Sequence, residues 1–275
     1  MDGPMTMHAT ETIDGVNEYT LESWTEFFDL TKNVFSALPA FVFRGQANYS
    51  WSLRSGLDRL QERFPRRWDF FKSEFADVAP LTDEQQLGAF KCAVRGRRGP
   101  NPVPLSYDGY WALGQHHGLA TPLLDLTRSP FVALFFAFEE KEVYLDGKMR
   151  APAARGVYAV STASIGHLPD KARQRVGIVS PEGDANYRLI SQAALFVKLP
   201  RQTDLEGYVR SHFAGATHAA TFTKINIPNE DRDGCLIALN KMNINHMTLF
   251  PDIDGAAKHV NSLWQPRHED SLAFD

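Results

Sequence analysis

One short span of this 275-residue chain, residues 115–130, places polar and titratable side chains directly before a Phe-rich apolar run at residues 131–138. The span contains two histidines, one aspartate, two threonines and one arginine. Burying such groups among apolar side chains costs free energy unless they are paired or used in a site. We therefore interpret the span as one wall of a functional site.

Local patterns predict how this span is built. Gly118 is typical of the residue that ends a helix, here one over residues 108–117. Residues 121–127 fit a short strand. Asp125 and Thr127 are expected to share one face of that strand, because side chains alternate along it.

A helix start follows the strand. Ser129 is a suitable N-terminal cap, and Pro130 fits the first helical turn. The helix through residue 138 is apolar nearly all round and is expected to be buried. We interpret Ser129 as a cap rather than a nucleophile, since no Gly-x-Ser-x-Gly pattern surrounds it.

The rest of the chain predicts an α+β fold with a helical first half and a strand-rich second half. Residues 1–19 are polar without periodicity and are expected to form a flexible arm before a single domain over residues 20–275. Helices, with caps at Ser23, Thr82 and Asp231, are predicted at 23–38, 53–64, 68–75, 82–94, 231–242 and 254–264. Further strands are predicted at 40–46, 156–160, 193–199, 222–227 and 245–249.

Composition narrows the class of protein. The net charge of -4 provides no global positive field for nucleic acid or membranes, although a basic loop contains Arg95, Arg97 and Arg98. A solvated loop is favoured over a phosphate contact there.

Cys92 and Cys235 have apolar neighbours and are expected to be buried thiols. Without a signal peptide pattern or an apolar run of about 20 residues, we expect a cytoplasmic protein with no membrane partner.

Three blocks of residues occur in order along the chain: Phe43-Arg44-Gly45; residues 115–119 with Thr121, Leu123, Leu124, Asp125 and Thr127; and Arg188, Gln192 and Phe196. In this order they resemble the FRG-domain family. The resemblance covers roughly residues 24–264, and the family pattern has an arginine where this chain has Pro122. Arg128, or Arg97 with Arg98, is a candidate to supply that charge.

The order of these blocks is in turn similar to that of ADP-ribosyltransferases of the Arg-Ser-Glu type. This resemblance implies a split sheet like theirs and NAD as the substrate. Gln192 falls at the place of their catalytic glutamate. A glutamine cannot act as a base, but it can hold a ribose hydroxyl by hydrogen bonds. Asp125 is our first candidate for the missing carboxylate.

Each candidate site residue has a functional and a structural interpretation. Arg44 could bind a phosphate, with Gly45 leaving room for the ligand, or could form a structural pair with Asp125. His116 could be a general acid or base, or could cap a helix end. Asp125 could orient His116, pair with Arg44, contact a ribose hydroxyl, or belong to a buried polar network.

We expect His116, Asp125 and Gln192 to be catalytic, and the cofactor to contact Arg44, Gly45, Gln46 and Thr127. His-Glu-x-x-His and Cys-x-x-Cys patterns are missing from the sequence, so we expect no metal.

The resulting hypothesis is an NAD-dependent ADP-ribosyltransferase-like enzyme with an unknown nucleic-acid or protein acceptor. The resemblance suggests a role as a toxin or in phage defence. The alternative is a non-catalytic module that binds a nucleotide or nucleic acid, which Gln192 favours.

Overall fold

The computed structural model describes residues 9–36, 40–65, 68–69, 74–75, 81–168, 176–180, 187–217 and 220–262. The strands of this part are β1 (Val16–Thr20), β2 (Phe41–Gln46), β3 (Trp68–Asp69), β4 (Glu74–Phe75), β5 (Leu123–Thr127), β6 (Val143–Leu145), β7 (Lys148–Arg150), β8 (Ala154–Ser161), β9 (Gly177–Val179), β10 (Ala194–Lys198) and β11 (Phe222–Pro228).

The same part of the chain contains eleven α-helices. They are α1 (Glu26–Val34), α2 (Gly56–Arg63), α3 (Asp83–Ala93), α4 (Tyr107–His116), α5 (Pro130–Phe138), α6 (Thr162–Gly166), α7 (Tyr187–Ser191), α8 (Leu205–His212), α9 (Arg232–Lys241), α10 (His246–Leu249) and α11 (Ile253–Ser262). Within the described residues, none of these helices has the length and apolarity that crossing a membrane requires.

Seven strands form one mixed sheet in the order β1-β11-β8-β2-β5-β10-β9. β1 runs parallel to β11, and the remaining neighbours are antiparallel. Phe43 of β2 lies opposite Thr127 of β5, and Phe196 of β10 lies opposite Asp125. This register places Arg44 of the first block, Asp125 and Thr127 of the second and Phe196 of the third on the adjacent strands β2, β5 and β10.

The core lies on both faces of the sheet because apolar side chains alternate along the central strands. One face packs Phe43, Val157 and Ile225 against helices α1, α5 and α9. The other face packs Val42 and Tyr158 against α8. A third cluster, formed by Leu57, Leu87, Trp111, Leu123 and Phe196, joins helices α2, α3 and α4 to β5 and β10.

The mixed α+β class is confirmed, but helices and strands are not divided between the two halves. Three strands of the main sheet, β1, β2 and β5, come from the first 127 residues. The expected arm at residues 1–19 ends in β1, whose Val16 is buried against β11. Because β1 is an edge strand with one buried residue, its sequence shows almost no alternation of apolar and polar residues.

Two predicted elements are of the wrong type. The helix predicted at residues 68–75 is wrong for the described residues, because Trp68–Asp69 and Glu74–Phe75 pair as the antiparallel strands β3 and β4. Residues 70–73 lie outside the described chain. The strand predicted at 245–249 is instead helix α10, because Asn245 and Thr248 form a capping box at its start. Segments this short fit the periodicity of a helix or of a strand, so local hydrogen bonds and pairing partners decide which of the two forms.

Some expectations about helix caps and cysteine burial also differ from the structure. Helix α1 begins at Glu26, with Thr25 at the cap position and no side-chain cap, instead of at a Ser23 capping box. Asp231 precedes α9 but makes no side-chain cap bond. Cys235 is buried as expected, whereas Cys92 is exposed on α3. The predicted helix residues 37–38 and 263–264 lie outside the described chain.

Candidate functional site

A cavity of about 350 Å³ opens where β2, β5 and β10 meet the ends of α4 and α7. Its size lies within the range of small-molecule sites. The apolar part of its wall is formed by four phenylalanine rings, those of Phe43, Phe136, Phe196 and Phe250. Six of the seven predicted site residues line it: Arg44, Gly45, His116, Asp125, Thr127 and Gln192.

Gln46 is the exception. It lies at the end of β2, opposite Gly156 of β8, and does not line the cavity. Gln46 is therefore outside the lining of this cavity, and its expected contact with a cofactor stays a prediction.

Arg44 connects the first two sequence blocks. Its Nη1 donates to the main-chain oxygen of Asp125 over 2.7 Å and lies 3.8 Å from Oδ2 of the same residue. Its side chain is 17% exposed, and its Nε is buried without a hydrogen-bond partner among the described residues. Burial lowers the pKa of Arg44, and the Asp125 carboxylate opposes that shift. The structural pair with Asp125 thus exists and leaves a donor for another group.

Gly45 is required for the packing of β2 against helix α5. A Cβ atom on Gly45 would lie 1.8 Å from the main-chain oxygen of Ala133 and 2.7 Å from the nitrogen of Ala137. Both atoms belong to the backbone of α5, which crosses β2 at this point. Gly45 also lines the cavity, so its expected contact with a ligand stays a prediction.

A hydrogen-bond chain holds Asp125. Nε2 of Gln115 donates to Oδ1 of Asp125 over 2.5 Å, and the hydroxyl of buried Thr121 donates to Oε1 of Gln115. The Asp125 side chain is 63% exposed at the cavity mouth. Among the described contacts it therefore pairs with Gln115 and Arg44, rather than orienting His116. Gln115 was not predicted as a site residue, although it precedes His116 in the second block.

His116 faces the cavity from the last turn of α4, whereas His117 is the C-terminal cap residue and does not line it. The Nδ1 of His116 is buried without a hydrogen-bond partner within the described chain. Burial lowers the pKa of His116, and His117 and Arg188 lower it further. The imidazole is therefore neutral at pH 7 and can accept a proton or a hydrogen bond.

Thr127 and Gln192 join the second block to the third. The Thr127 hydroxyl donates to the main-chain oxygen of Gln192 over 2.7 Å and accepts from the nitrogen of Ser129 over 3.0 Å. Nε2 of Gln192 donates to the main-chain oxygen of Leu249 over 3.1 Å. Ser129 itself accepts from the nitrogen of Val132, which confirms it as the cap of α5.

Arg188 is a second guanidinium in the cavity that was not among the predicted site residues. It lies on α7, 4.5 Å above the ring of Phe250 and 3.5 Å from Oδ2 of Asp252. Its Nε is also buried and without a partner in the described residues. The useful signal was its place in the third block, four residues before Gln192.

The arginines proposed to replace the one missing at Pro122 do not reach this cavity. Arg128 is exposed, and Arg98 donates to Val103 and lies over the ring of Tyr110. Neither of them, nor Arg97, lines the cavity. Arg188 supplies the second positive charge because α7 lies next to β10.

No group of three or more His, Cys, Asp or Glu side chains in the described part of the chain is arranged to hold a metal ion. The donors and acceptors in the cavity are instead guanidinium, imidazole, carboxylate, hydroxyl and amide groups. This set is suited to an anionic, hydroxyl-rich organic ligand.

Comparisons with known proteins add one finding. The chain matches no curated protein and no solved structure. Residues 39–144 match the model of the FRG domain. The match includes Arg44, Gln115, His116 and Asp125, while α7 and Gln192 lie beyond it. This part of the chain is therefore similar to the FRG domain.

Proposed function

We propose that the cavity binds a nucleotide and that the protein is an ADP-ribosyltransferase-like enzyme that uses NAD as its substrate. The observation that carries the proposal is the approach of two guanidiniums, Arg44 and Arg188, to one cavity with a buried, unpartnered Nε on each within the described chain. A buried donor without a partner costs free energy, which a bound phosphate would recover.

The remaining walls are consistent with the other parts of a nucleotide. The rings of Phe136 and Phe250 lie edge to face at 6.0 Å and offer apolar surface to a base. The carbonyl of the Gln192 side chain can accept a hydrogen bond from a ribose hydroxyl. Its amide nitrogen is already used by Leu249, so the orientation of the side chain is set before any ligand binds.

In the proposed reaction, the bond between the nicotinamide nitrogen and ribose C1′ breaks, and its electron pair leaves with nicotinamide. The acceptor forms a new bond to C1′ and loses a proton. Asp125, exposed at the mouth, is the residue we assign to stabilise the positive charge at C1′ and to take that proton. Gln192 cannot perform either task, because an amide is neither negatively charged nor basic.

The proposal extends to the fold and the biological role. We propose that the seven-stranded sheet corresponds to the split sheet of ADP-ribosyltransferases and that the acceptor is a nucleic acid or a protein. A toxin or phage-defence role is part of this hypothesis. Its basis is the order of the three sequence blocks and their convergence on one cavity.

A non-catalytic nucleotide-binding module is the second candidate. The observation that favours it is Gln192, whose amide is tied to Leu249 at the place where a catalytic glutamate is expected. Asp125 is the one carboxylate lining the cavity in the described chain, and it is already bonded to Gln115.

Release of nicotinamide from NAD distinguishes these candidates when it is measured together with the shift in Tm that NAD causes. Turnover that is lost in Arg44→Gln and kept in Arg128→Gln is the result expected for the enzyme. Stabilisation by NAD without turnover would favour the binding module. A Tm unchanged by NAD, ADP-ribose and ATP would contradict both.

A further inference from the structure

A second cavity of about 250 Å³ lies on the other side of the wall formed by Arg44, Gln115 and Asp125. These three residues line both cavities. Gly118 and Gly56 also line the second cavity, and no atom lies within 4 Å of where a Cβ of Gly118 would be. The second cavity therefore adjoins the proposed catalytic carboxylate.

The charge of this second cavity is positive. Arg59 of α2 lines it together with Arg44, and Asp125 is the carboxylate that faces them. One oxygen of Asp125 accepts from Gln115, and the other is 3.8 Å from Arg44. Nη1 of Arg59 donates to the main-chain oxygen of Arg54. No ion pair of Arg59 with a described carboxylate is present.

Two guanidiniums that face one cavity repel each other, and a bound anion relieves this repulsion. Repulsion from Arg59 contributes to lowering the pKa of Arg44, behind the effect of burial, so the two charges are close enough to interact. Guanidinium groups bind phosphate oxygens with charge-assisted hydrogen bonds. A phosphate group is the ligand chemistry that this pair of side chains fits best.

We propose that the second cavity is the acceptor subsite and binds a phosphate monoester on the acceptor through Arg59 and Arg44. The acceptor role rests on the proposed function, whereas phosphate binding at Arg59 does not. The oxygen of an acceptor hydroxyl forms a bond to ribose C1′, and Asp125 takes the proton of that hydroxyl. The bond between C1′ and the nicotinamide nitrogen breaks, and nicotinamide leaves with its electron pair. Water then removes the proton from Asp125.

Isothermal titration calorimetry tests the subsite without NAD. The probes are ribose 5-phosphate, a 5′-phosphorylated tetranucleotide and the same tetranucleotide with a free 5′-hydroxyl. We expect Arg59→Gln to weaken binding of a phosphorylated probe by about tenfold. The matched control is Arg63→Gln, an exposed arginine on the same helix that does not line the cavity; it should change affinity by less than about twofold.

The two phosphorylated probes separate the sources of the phosphate. Tight binding of ribose 5-phosphate indicates a small-molecule acceptor, and binding of the phosphorylated tetranucleotide alone indicates a nucleic-acid end. Equal losses in Arg59→Gln and Arg63→Gln, no preference for phosphate over hydroxyl, or no binding at all would overturn the subsite. Phosphate binding that depends on Arg59 in a protein that gives no response to NAD would retain the subsite and reject the proposed function.

Discussion

The main-chain oxygen of Ala133 fills the space that a Cβ atom of Gly45 would occupy, at 1.8 Å from its ideal position. Strand β2 and helix α5 therefore approach each other more closely than any other residue type would allow at this position. Three consecutive residues of β2 have three separate roles. Phe43 packs in the core, Arg44 lines the cavity and Gly45 admits α5.

Gly45→Ala is expected to destabilise the protein by about 3 kcal/mol, because the methyl group would meet backbone atoms that cannot move independently. Gly88→Ala is the control: Gly88 lies within helix α3, and no atom beyond its chain neighbours and the backbone of its own helix lies within 4 Å of its Cβ position. That variant should gain about 0.5–1 kcal/mol from helix propensity. Urea unfolding measures both, and similar values for the two variants would refute the packing role.

Gln192→Glu is expected to lower stability by about 1–3 kcal/mol, because a carboxylate cannot donate to the main-chain oxygen of Leu249. The same change at Gln85 is the control. Gln85 is the third residue of helix α3 and closes its capping box, where a glutamate makes the same bond and favours the helix start. Thermal unfolding of both variants checks this. An unchanged Tm for Gln192→Glu would mean that the bond to Leu249 contributes little.

The titration of His116 provides a test of the cavity in solution. Burial lowers its pKa below 6.5, with further contributions from His117 and Arg188. The folded state therefore binds the His116 proton less tightly than the unfolded chain does. As pH falls below about 6.5, this difference lowers the free energy of unfolding. Arg188→Gln should raise the pKa of His116, and exposed Arg128→Gln should not. NMR titration of the imidazole measures both, and an unshifted pKa in Arg188→Gln would place Arg188 away from His116.

Glu139 holds helices α10 and α11 against the end of α5. One of its oxygens lies 2.9 Å from Nε2 of His246 and 3.3 Å from Nζ of Lys258. Burial raises the pKa of Glu139, but the bonds to His246 and Lys258 outweigh it and leave the pKa below 4.5. The stability that this depressed pKa contributes is present above the unfolded pKa and is lost as pH falls through the folded value.

Glu139→Gln should therefore lower the free energy of unfolding by about 1–2 kcal/mol at pH 7, and its difference from wild type should shrink below about pH 4.5. Glu142→Gln, at an exposed position, is the control and should be close to wild type at both values of pH. Urea unfolding at pH 7 and pH 4 measures the difference. A deficit that stayed constant with pH would show that the charge of Glu139 is not its cause.

Much of the local structure could be predicted from the sequence. The capping box of Thr82 and Gln85, the cap at Ser129 and the helix end at Gly118 are all present, and Gly118 has a φ of 85°. Each is an interaction between residues at most four positions apart. Its energy therefore depends on a short stretch of chain and is readable from residue types alone.

The candidate site could be predicted in part for a different reason. Asp125 and Thr127 share a face because strand geometry requires it. Arg44 lies in strand β2, next to buried Phe43. The sequence could not show that the main-chain oxygen of Asp125 accepts from Arg44, that Gln115 holds the carboxylate, or that Arg188 supplies the second guanidinium. These contacts join residues brought together by strand register and helix packing.

By itself, the sequence determined the caps at Thr82 and Ser129, the apolar helix α5, the alternation along β5 and the residue types available for a site. The tertiary structure decided which polar groups meet, because contacts such as Arg44 with Asp125, 81 residues apart, depend on the order of strands in the sheet. It also decided why residue 45 is a glycine. The close approach of a strand backbone to a helix backbone produces no periodic pattern in the sequence. Its one trace there is a glycine, a residue without a side chain.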